Sequence, residues 1–464
     1  MRRATRSIAA AIVLVLGLAA CGGSSSGGGG GGSDAACPVK ALDSAKGPVK
    51  ITFWHAMTRA NEEALVRLTQ QYNDSQSKVQ VTLVNQTGYK ESLQKFRAGL
   101  SSGDLPNLVQ IEDTGTQQMI DTQAVLPAQA CIDASGYDTS DFIKRVTDYY
   151  TVGGKLYPMP FNVSNPVLYY DKNGFRAAGL DPAKPPATLE EVRADAIKLK
   201  AAGYKYGWGL KLDPWYLEQW SAKAGKLYAN NQNGREGRAT EVVFENPTGL
   251  EIFTWMQSMV DDGLAVTNSA SGTNSYNNLL GIRSKDVGMT IDTSAALGTI
   301  EQVFASGEGG GVEVGVGPMP GPAGDGGVLV GGAAIYMVRK GSSPAQQAAA
   351  FDFAKWLNSP SIQADWSAST GYVPTRISAA EEPVLANKWK ANPNFKVAYS
   401  QLVEGPNNTA TSGPVIGAYQ AVRDAVLLAQ EKLFTQGLSP AKALAEAKQG
   451  ADAAIGEYNA RVVG

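Results

Sequence analysis

Arg423 is the side chain whose position in the sequence points most directly to binding chemistry. It lies on the apolar face of a predicted helix, and that face is formed by Ile416, Tyr419, Val422, Val426 and Leu427. A charge on such a face needs a partner, because an unpaired charge in apolar surroundings is costly. A guanidinium can donate two parallel hydrogen bonds to phosphate oxygens, or it can form a structural ion pair with Asp or Glu. The residues alone favour the ion pair.

Asp113 is the second candidate. It follows an apolar run at residues 108–111, at the carboxyl end of a predicted strand, where α/β sheets usually place their ligands. It could equally cap a helix that begins at Thr114, because Asp is favoured at that position. Both roles remain open.

Catalytic chemistry has few candidate residues. His55 is the only histidine, so a serine or cysteine nucleophile would have one possible base, and metal clusters of His and Cys have little support. An acid pair such as Glu112 and Glu218 could support glycoside hydrolysis, but nothing in their spacing shows that they face each other. We therefore expect a binding protein with no metal and no cofactor, and a secreted hydrolase is the less favoured alternative.

Alternating strands and helices must position these residues. Residues 49–54, 79–83 and 108–111 read as strands, and helical spacing of apolar residues separates them, which predicts β-α-β-α-β and a mostly parallel sheet. A second region has a tyrosine-rich strand at 167–170, a capping box of Thr188 with Glu191, and strands at 287–291 and 330–338. Residues 345 onward are mainly helical. The glycines of residues 307–317 lack dinucleotide-fingerprint spacing and are predicted to form a loop.

The N-terminus predicts export. Residues 1–20 carry three arginines and then an apolar run too short to span a bilayer, as in a signal peptide. Cys21 follows small residues, where bacterial lipoproteins receive their lipid, and the glycine and serine that follow predict a flexible tether over residues 21–36. An ordinary signal peptide with an incidental cysteine is the alternative.

Residues 37–464 are then the folded body. With Cys21 lipidated, Cys37 and Cys131 remain, and a pair in an oxidising compartment predicts one disulfide. The length exceeds what a single core supports, so we expect two lobes. A net charge of −2 argues against a nucleic-acid partner.

The sequence resembles the extracytoplasmic solute-binding proteins of ABC importers for carbohydrates and polyols over nearly all of residues 37–464. The likeness is carried by Phe53-Trp54-His55, Pro160-Phe161-Asn162, Val167-Leu168-Tyr169-Tyr170, Gly331-Gly332-Ala333 and Thr370-Gly371-Tyr372. Three of these segments, Phe53-Trp54-His55, Pro160-Phe161-Asn162 and Thr370-Gly371-Tyr372, occur together in the glycerol-3-phosphate and glycerophosphodiester binders, which the sequence resembles most. The resemblance implies a type II fold of two α/β lobes around a hinged cleft, with lobe boundaries near 160–165, 290–300 and 360–370, and a structural role for His55.

The resemblance also implies a set of site residues. Phosphate contacts match Tyr89, Ser164, Thr293 or the neighbouring Ser294, the backbone at Gly332, Tyr372 and Arg423, so that the partner of Arg423 would be the ligand's phosphate. Asp113 matches the carboxylate that accepts the glycerol hydroxyls, and Trp215 matches a flanking aromatic ring. Taken alone, each aromatic is equally well explained by core packing.

Leu212 is the main departure from the family pattern. It stands where the relatives have a second aromatic ring, which would widen the pocket and favour a phosphodiester such as glycerophosphocholine over glycerol-3-phosphate. A sugar or oligosaccharide is the alternative ligand. The expected partners are this small molecule, the transmembrane subunits of an ABC permease, and the extracytoplasmic face of the membrane through the lipid anchor. The protein is expected to be a monomer.

Overall fold

The fold is built on two β-sheets with helices packed around them. The structure, a computed structural model, describes residues 36–269, 276–305 and 312–463. The predicted signal peptide, the predicted lipidation site at Cys21 and nearly all of the predicted tether lie outside these residues. No helix in the described part of the chain combines the length and apolar character needed to cross a membrane.

The strands are β1 (Val49–His55), β2 (Val79–Asn85), β3 (Leu108–Glu112), β4 (Val125–Leu126), β5 (Thr151–Val152), β6 (Lys155–Leu156), β7 (Met159–Ser164), β8 (Pro166–Asp171), β9 (Tyr206–Leu212), β10 (Ala265–Ser269), β11 (Val287–Thr293), β12 (Val314–Pro318) and β13 (Gly331–Val338).

The helices are α1 (Arg59–Ser75), α2 (Tyr89–Ser102), α3 (Thr116–Asp121), α4 (Ala128–Ser135), α5 (Lys144–Tyr150), α6 (Lys172–Ala177), α7 (Leu189–Ala201), α8 (Pro214–Lys223), α9 (Asn230–Gly234), α10 (Pro247–Asp261), α11 (Asn277–Arg283), α12 (Leu297–Ala305), α13 (Pro344–Leu357), α14 (Pro360–Thr370), α15 (Pro383–Ala391), α16 (Val397–Glu404), α17 (Tyr419–Thr435) and α18 (Pro440–Val463). Short 3-10 turns include Asp113–Gly115 and Ser294–Ala296.

The first sheet has the order β2-β1-β3-β13-β4, and β7 also pairs with β13. Its first three strands are parallel, as β-α-β-α-β predicts, whereas β13 runs antiparallel to β3, β4 and β7. The second sheet has the order β10-β9-β11-β8-β12. The mixed α/β class predicted from the sequence is therefore confirmed.

The chain passes between the sheets more than once. At Asn165 it leaves β7 of the first sheet and enters β8 of the second, and between β12 and β13 it returns. Residues 360–370 are α14, which packs on α1 beside the first sheet. Whether the chain near residues 160–165, 290–300 and 360–370 separates two lobes that move independently stays a prediction.

Local sequence patterns account for much of this architecture. The helical spacing in α1 buries Ala64, Leu65, Leu68 and Tyr72. Thr188 and Glu191 form the predicted capping box at the start of α7, in which each side chain accepts a backbone N–H. A disulfide joins Cys37 to Cys131, and it closes a sequence separation of 94 residues. In the chain-entropy model such a loop contributes about 4.7 kcal/mol to stability.

The loop prediction for residues 307–317 is wrong for residues 314–317, which lie in β12. Gly315 and Gly317 lie within β12, which pairs with β8. A side chain at Gly315 would lie 2.3 Å from the Tyr170 ring, so glycine is required here for close packing of an aromatic ring across a strand. The spacing of glycines in the sequence does not show whether they form a turn or allow close packing within a strand.

Candidate functional site

A cleft of about 870 Å³ lies between the two sheets. Residues from the first sheet and its helices, from the second sheet with α8, and from α17 form its walls. Eight of the ten predicted ligand-binding residues line it: Tyr89, Asp113, Ser164, Trp215, Thr293, Gly332, Tyr372 and Arg423. Residues spread over more than three hundred positions of sequence are thus brought to one cavity.

A chain of amide and phenol groups holds the first-sheet wall. Gln110 donates to Asn162 at 2.7 Å, and Asn162 donates to the Tyr89 hydroxyl at 2.8 Å. That hydroxyl lies 3.3 Å from the hydroxyl of Tyr372. Because both tyrosines are fixed in this way, their hydroxyls are held side by side at the cleft as neutral groups that can each donate or accept one hydrogen bond with a ligand. Sequence reasoning missed Gln110, whereas Asn162 was visible within the Pro-Phe-Asn segment but received no role.

Gly332 provides a wall of bare backbone. Its φ of +96° is unfavourable for other residues, and a Cβ would lie 2.0 Å from the Asn162 carbonyl oxygen. The backbone of β13 can therefore approach a ligand here without an intervening side chain.

His55 ends β1 beneath this wall and is buried. Its Nδ1 accepts the Met57 N–H at 3.3 Å, and burial lowers its pKa, with Glu62 opposing the shift. The neutral ring thus orients the Ala56–Met57 backbone at the cleft, as a structural role requires.

The second-sheet wall contains charges that the sequence analysis did not assign. Lys211 lies 3.4 Å from Asp292 and 3.9 Å from Asp213, and all three line the cleft. Asp213 also caps α8 by accepting the N–H of Trp215. This helix start sets the position of Trp215 at the cleft.

Leu212 and Ser294 are not among the residues that line the cleft. Lys211 and Asp213 face it, and since successive strand residues point to opposite sides, Leu212 between them packs into the core. Ser294 is fully buried within the 3-10 turn after β11, so Thr293 is the hydroxyl residue at the cavity. Leu212 therefore does not widen the cleft wall as the resemblance led us to expect, because its side chain lies in the core.

Arg423 lines the cleft, but the protein itself supplies its partners. Its Nε and Nη2 each donate to a different oxygen of Glu218 at 2.7 Å, and its Nη1 donates to Glu112 at 3.0 Å. The prediction that a ligand phosphate, and not a protein carboxylate, would be the partner of Arg423 is therefore wrong: in this structure the guanidinium is paired with Glu218 and Glu112. A carboxylate reaches the apolar helix face from α8, more than two hundred residues earlier in the chain.

Glu112 and Glu218, the pair considered for hydrolysis, do meet, but only through this guanidinium. Burial disfavours the charged guanidinium, yet Glu218 and Glu112 outweigh that effect, so the pKa of Arg423 is raised. A carboxyl group held in two charge-assisted hydrogen bonds is poorly suited to act as a general acid or base. The geometry therefore supports a binding cleft.

Asp113 lies beside this cluster and is buried. Burial raises its pKa to about 8, opposed by Arg423 and reinforced by Glu112 and Glu218. The Tyr149 hydroxyl donates to its Oδ2 at 2.9 Å. A neutral Asp113 can both donate and accept a hydrogen bond, which suits recognition of hydroxyl groups.

Acidic side chains outnumber basic ones in the lining. The acids are Glu91, Glu112, Asp113, Asp213, Asp292 and Asp424, and the bases are Lys90, Lys211 and Arg423. Even with Asp113 protonated, five carboxylates face three cations. Within residues 36–269, 276–305 and 312–463, no group of three or more His, Cys, Asp or Glu side chains is arranged to hold a metal ion.

Comparison with known proteins adds a family and several relatives. Residues 67–397 match the model of the bacterial extracellular solute-binding proteins. The chain is 30% identical over 413 residues to the sn-glycerol-3-phosphate-binding periplasmic protein UgpB of Yersinia pestis, covering 86% of this chain and 91% of the relative. It is 29% identical over 437 residues to UgpB of Pectobacterium atrosepticum, covering 91% and 96%.

Solved structures share the fold. UgpB from Mycobacterium tuberculosis in complex with glycerophosphocholine superposes with a TM-score of 0.72 at 19% identity and covers 88% of this chain and 99% of that one. The GacH receptor of Streptomyces glaucescens, solved unliganded and with acarbose, gives a TM-score of 0.73 at 20% identity, with coverages of 89% and 99%. The two-lobed fold expected from the sequence is confirmed by these likenesses.

Proposed function

The chain belongs to the bacterial extracellular solute-binding protein family, and from that premise we propose that it captures a glycerophosphodiester such as glycerophosphocholine for an ABC importer. It acts outside the cytoplasm and hands its ligand to the permease subunits. It performs no chemistry on the ligand.

The main support for this proposal is that the cleft brings several hydroxyl groups and an uncovered stretch of backbone together. Hydroxyls of Tyr89, Ser164, Thr293 and Tyr372 surround the cavity beside the exposed backbone at Gly332. Neutral donors of this kind bind a phosphodiester without requiring a free cation. Asp113 is available for the glycerol hydroxyls.

The lining charge favours glycerophosphocholine over glycerol-3-phosphate. A phosphate monoester carries nearly two negative charges at pH 7 and would enter a cleft with excess carboxylates, whereas the choline cation of a diester is attracted to them. Trp215 and Tyr276 also line the cleft, and aromatic rings bind quaternary ammonium groups well. The proposed preference for glycerophosphocholine therefore depends on the lining charge and the aromatic rings, and not on Leu212.

A thermal-shift series followed by calorimetry tests the proposal. We expect glycerophosphocholine to raise the melting temperature, because a ligand at a hundred times its Kd stabilises the native state by about 2.7 kcal/mol. Glycerol-3-phosphate should give a smaller shift, and maltose none. Recovery of intact ligand after incubation distinguishes a receptor from a hydrolase. Binding of maltose-like sugars only, or stronger binding of glycerol-3-phosphate, would contradict the proposal.

We also propose that the protein is held at the membrane by a lipid on Cys21. The small residues before this cysteine and the glycine-rich tether behind it support the proposal. The variant Cys21→Ser should move the exported protein from the membrane fraction to the soluble fraction, while Ser24→Ala, a substitution in the predicted tether, should leave the distribution unchanged. Membrane association of Cys21→Ser equal to that of the natural protein would count against the anchor.

A further inference from the structure

Glu112 is held in one orientation at the cleft wall. It ends β3, and its second carboxylate oxygen accepts hydrogen bonds from Gln420 at 2.8 Å and from Thr114 at 3.0 Å. Its first oxygen accepts from Arg423. Because three donors, one from the turn after β3 and two from α17, fix this carboxylate, it is held in place when a ligand enters.

The positive charge of the Arg423 guanidinium is outnumbered by the negative charges of its partners. Its single positive charge meets two carboxylates, Glu218 with 1% and Glu112 with 16% of the side chain exposed, while Arg423 itself is 11% exposed. Three of its five N–H groups are used, and the net charge of the three side chains is −1. Of the two acids, only Glu112 lines the cleft.

Glu112 also lies next to the proposed phosphate position. In the sheet it pairs directly with Ala333, the residue after Gly332. A phosphate at the Gly332 backbone would therefore be close to a fixed negative charge in a partly buried setting, where charges interact more strongly than in water.

We propose that Glu112 is a charge filter that selects phosphodiesters against phosphate monoesters. This inference rests on the proposed function. A diester carries one negative charge, or none in total when it bears choline, and it tolerates the fixed carboxylate. A monoester adds a second charge beside that carboxylate and is rejected. The selectivity comes from repulsion, and no contact unique to the favoured ligand is needed.

Calorimetric titration of three probes that differ in charge tests the filter. The probes are glycerophosphocholine, glycerophosphoglycerol and glycerol-3-phosphate, and the natural protein should bind them in that order of decreasing affinity. Glu112→Gln keeps the shape and an acceptor for Arg423 but removes the charge. It should raise the affinity for glycerol-3-phosphate at least tenfold, which corresponds to about 1.4 kcal/mol. The gain should be smaller for glycerophosphoglycerol and less than threefold for glycerophosphocholine.

Glu63→Gln is the matched control, because Glu63 is an exposed acid of α1 that does not line the cleft and the substitution removes the same charge. It should change the three affinities by similar small factors. An unchanged selectivity ratio in Glu112→Gln, or the same shift in both variants, would overturn the filter and leave the proposed function intact. So would a loss of glycerophosphocholine binding alone, which would make Glu112 a contact for choline. If the natural protein binds none of the probes, the proposed function itself fails.

Discussion

Arg423→Ala is expected to lower the free energy of unfolding of the unliganded protein by about 3–5 kcal/mol, since it removes one partner of a buried ion pair and leaves the others uncompensated. Glu218 is almost fully buried and has both oxygens on the guanidinium, so it would lose both charge-assisted hydrogen bonds in the variant. Denaturant unfolding of the two unliganded proteins measures the effect.

Two further variants test whether the loss of stability comes from the buried ion pair. In the double variant Arg423→Ala/Glu218→Gln, part of the loss should be recovered, because the most deeply buried carboxylate, that of Glu218, is no longer left charged without a partner. Lys90→Ala removes another cation of the cleft lining, but its salt bridge with Asp424 is exposed, and the cost should be below about 1 kcal/mol. Natural stability in Arg423→Ala would show that the ion pairs with Glu218 and Glu112 do not form.

Asp113→Asn is expected to change how stability depends on pH. The native carboxyl has a pKa of about 8, above the usual 3.8, chiefly because it is buried. Between these values the native state holds a proton that the unfolded state has lost, so stability falls as the pH rises from about 4 to about 8 and is level above that range. Asparagine does not titrate. The stability of the variant relative to the natural protein should therefore rise with pH over this window.

The stability difference between the two proteins should shift furthest toward the variant near pH 9. Each unit of the pKa difference corresponds to about 1.4 kcal/mol, so from pH 4 to pH 9 this difference should change by several kcal/mol. Melting temperatures of both proteins from pH 5 to pH 9, without ligand, measure it. Asp424→Asn, at an exposed acid of the same cleft, should follow the pH profile of the natural protein. Parallel profiles for the natural protein and Asp113→Asn would contradict a raised pKa at this carboxyl.

The parts of the fold that could be predicted from sequence are those set by neighbours in the chain. The spacing of apolar residues identified α1, and the Thr188 and Glu191 pair identified the start of α7, because both signals act within a few residues. The order of strands in each sheet has no such signal. That β13 lies between β3 and β4 depends on contacts across more than two hundred residues.

The candidate site divides in the same way. Eight cleft residues could be assigned by resemblance, but the partners of Arg423 could not, because Glu218 and Glu112 are 205 and 311 residues away in sequence. Lys211 lines the cleft, whereas its neighbour Leu212 packs into the core. In a strand, successive side chains point to opposite faces, so a contact expected at one position can be made by the next residue instead.

The late position of β13 in the chain has a consequence for how the protein matures. Because β13 pairs with β3, β4 and β7, the first sheet lacks its central strand until residues 331–338 are available. A chain that emerges from the membrane N-terminus first can close its disulfide and form β1 to β3 early. The first sheet must then stay incomplete until all strands of the second sheet have also crossed the membrane. Maturation of the two lobes is thereby tied together, and a product that stops before residue 331 would expose an unpaired strand edge prone to aggregation.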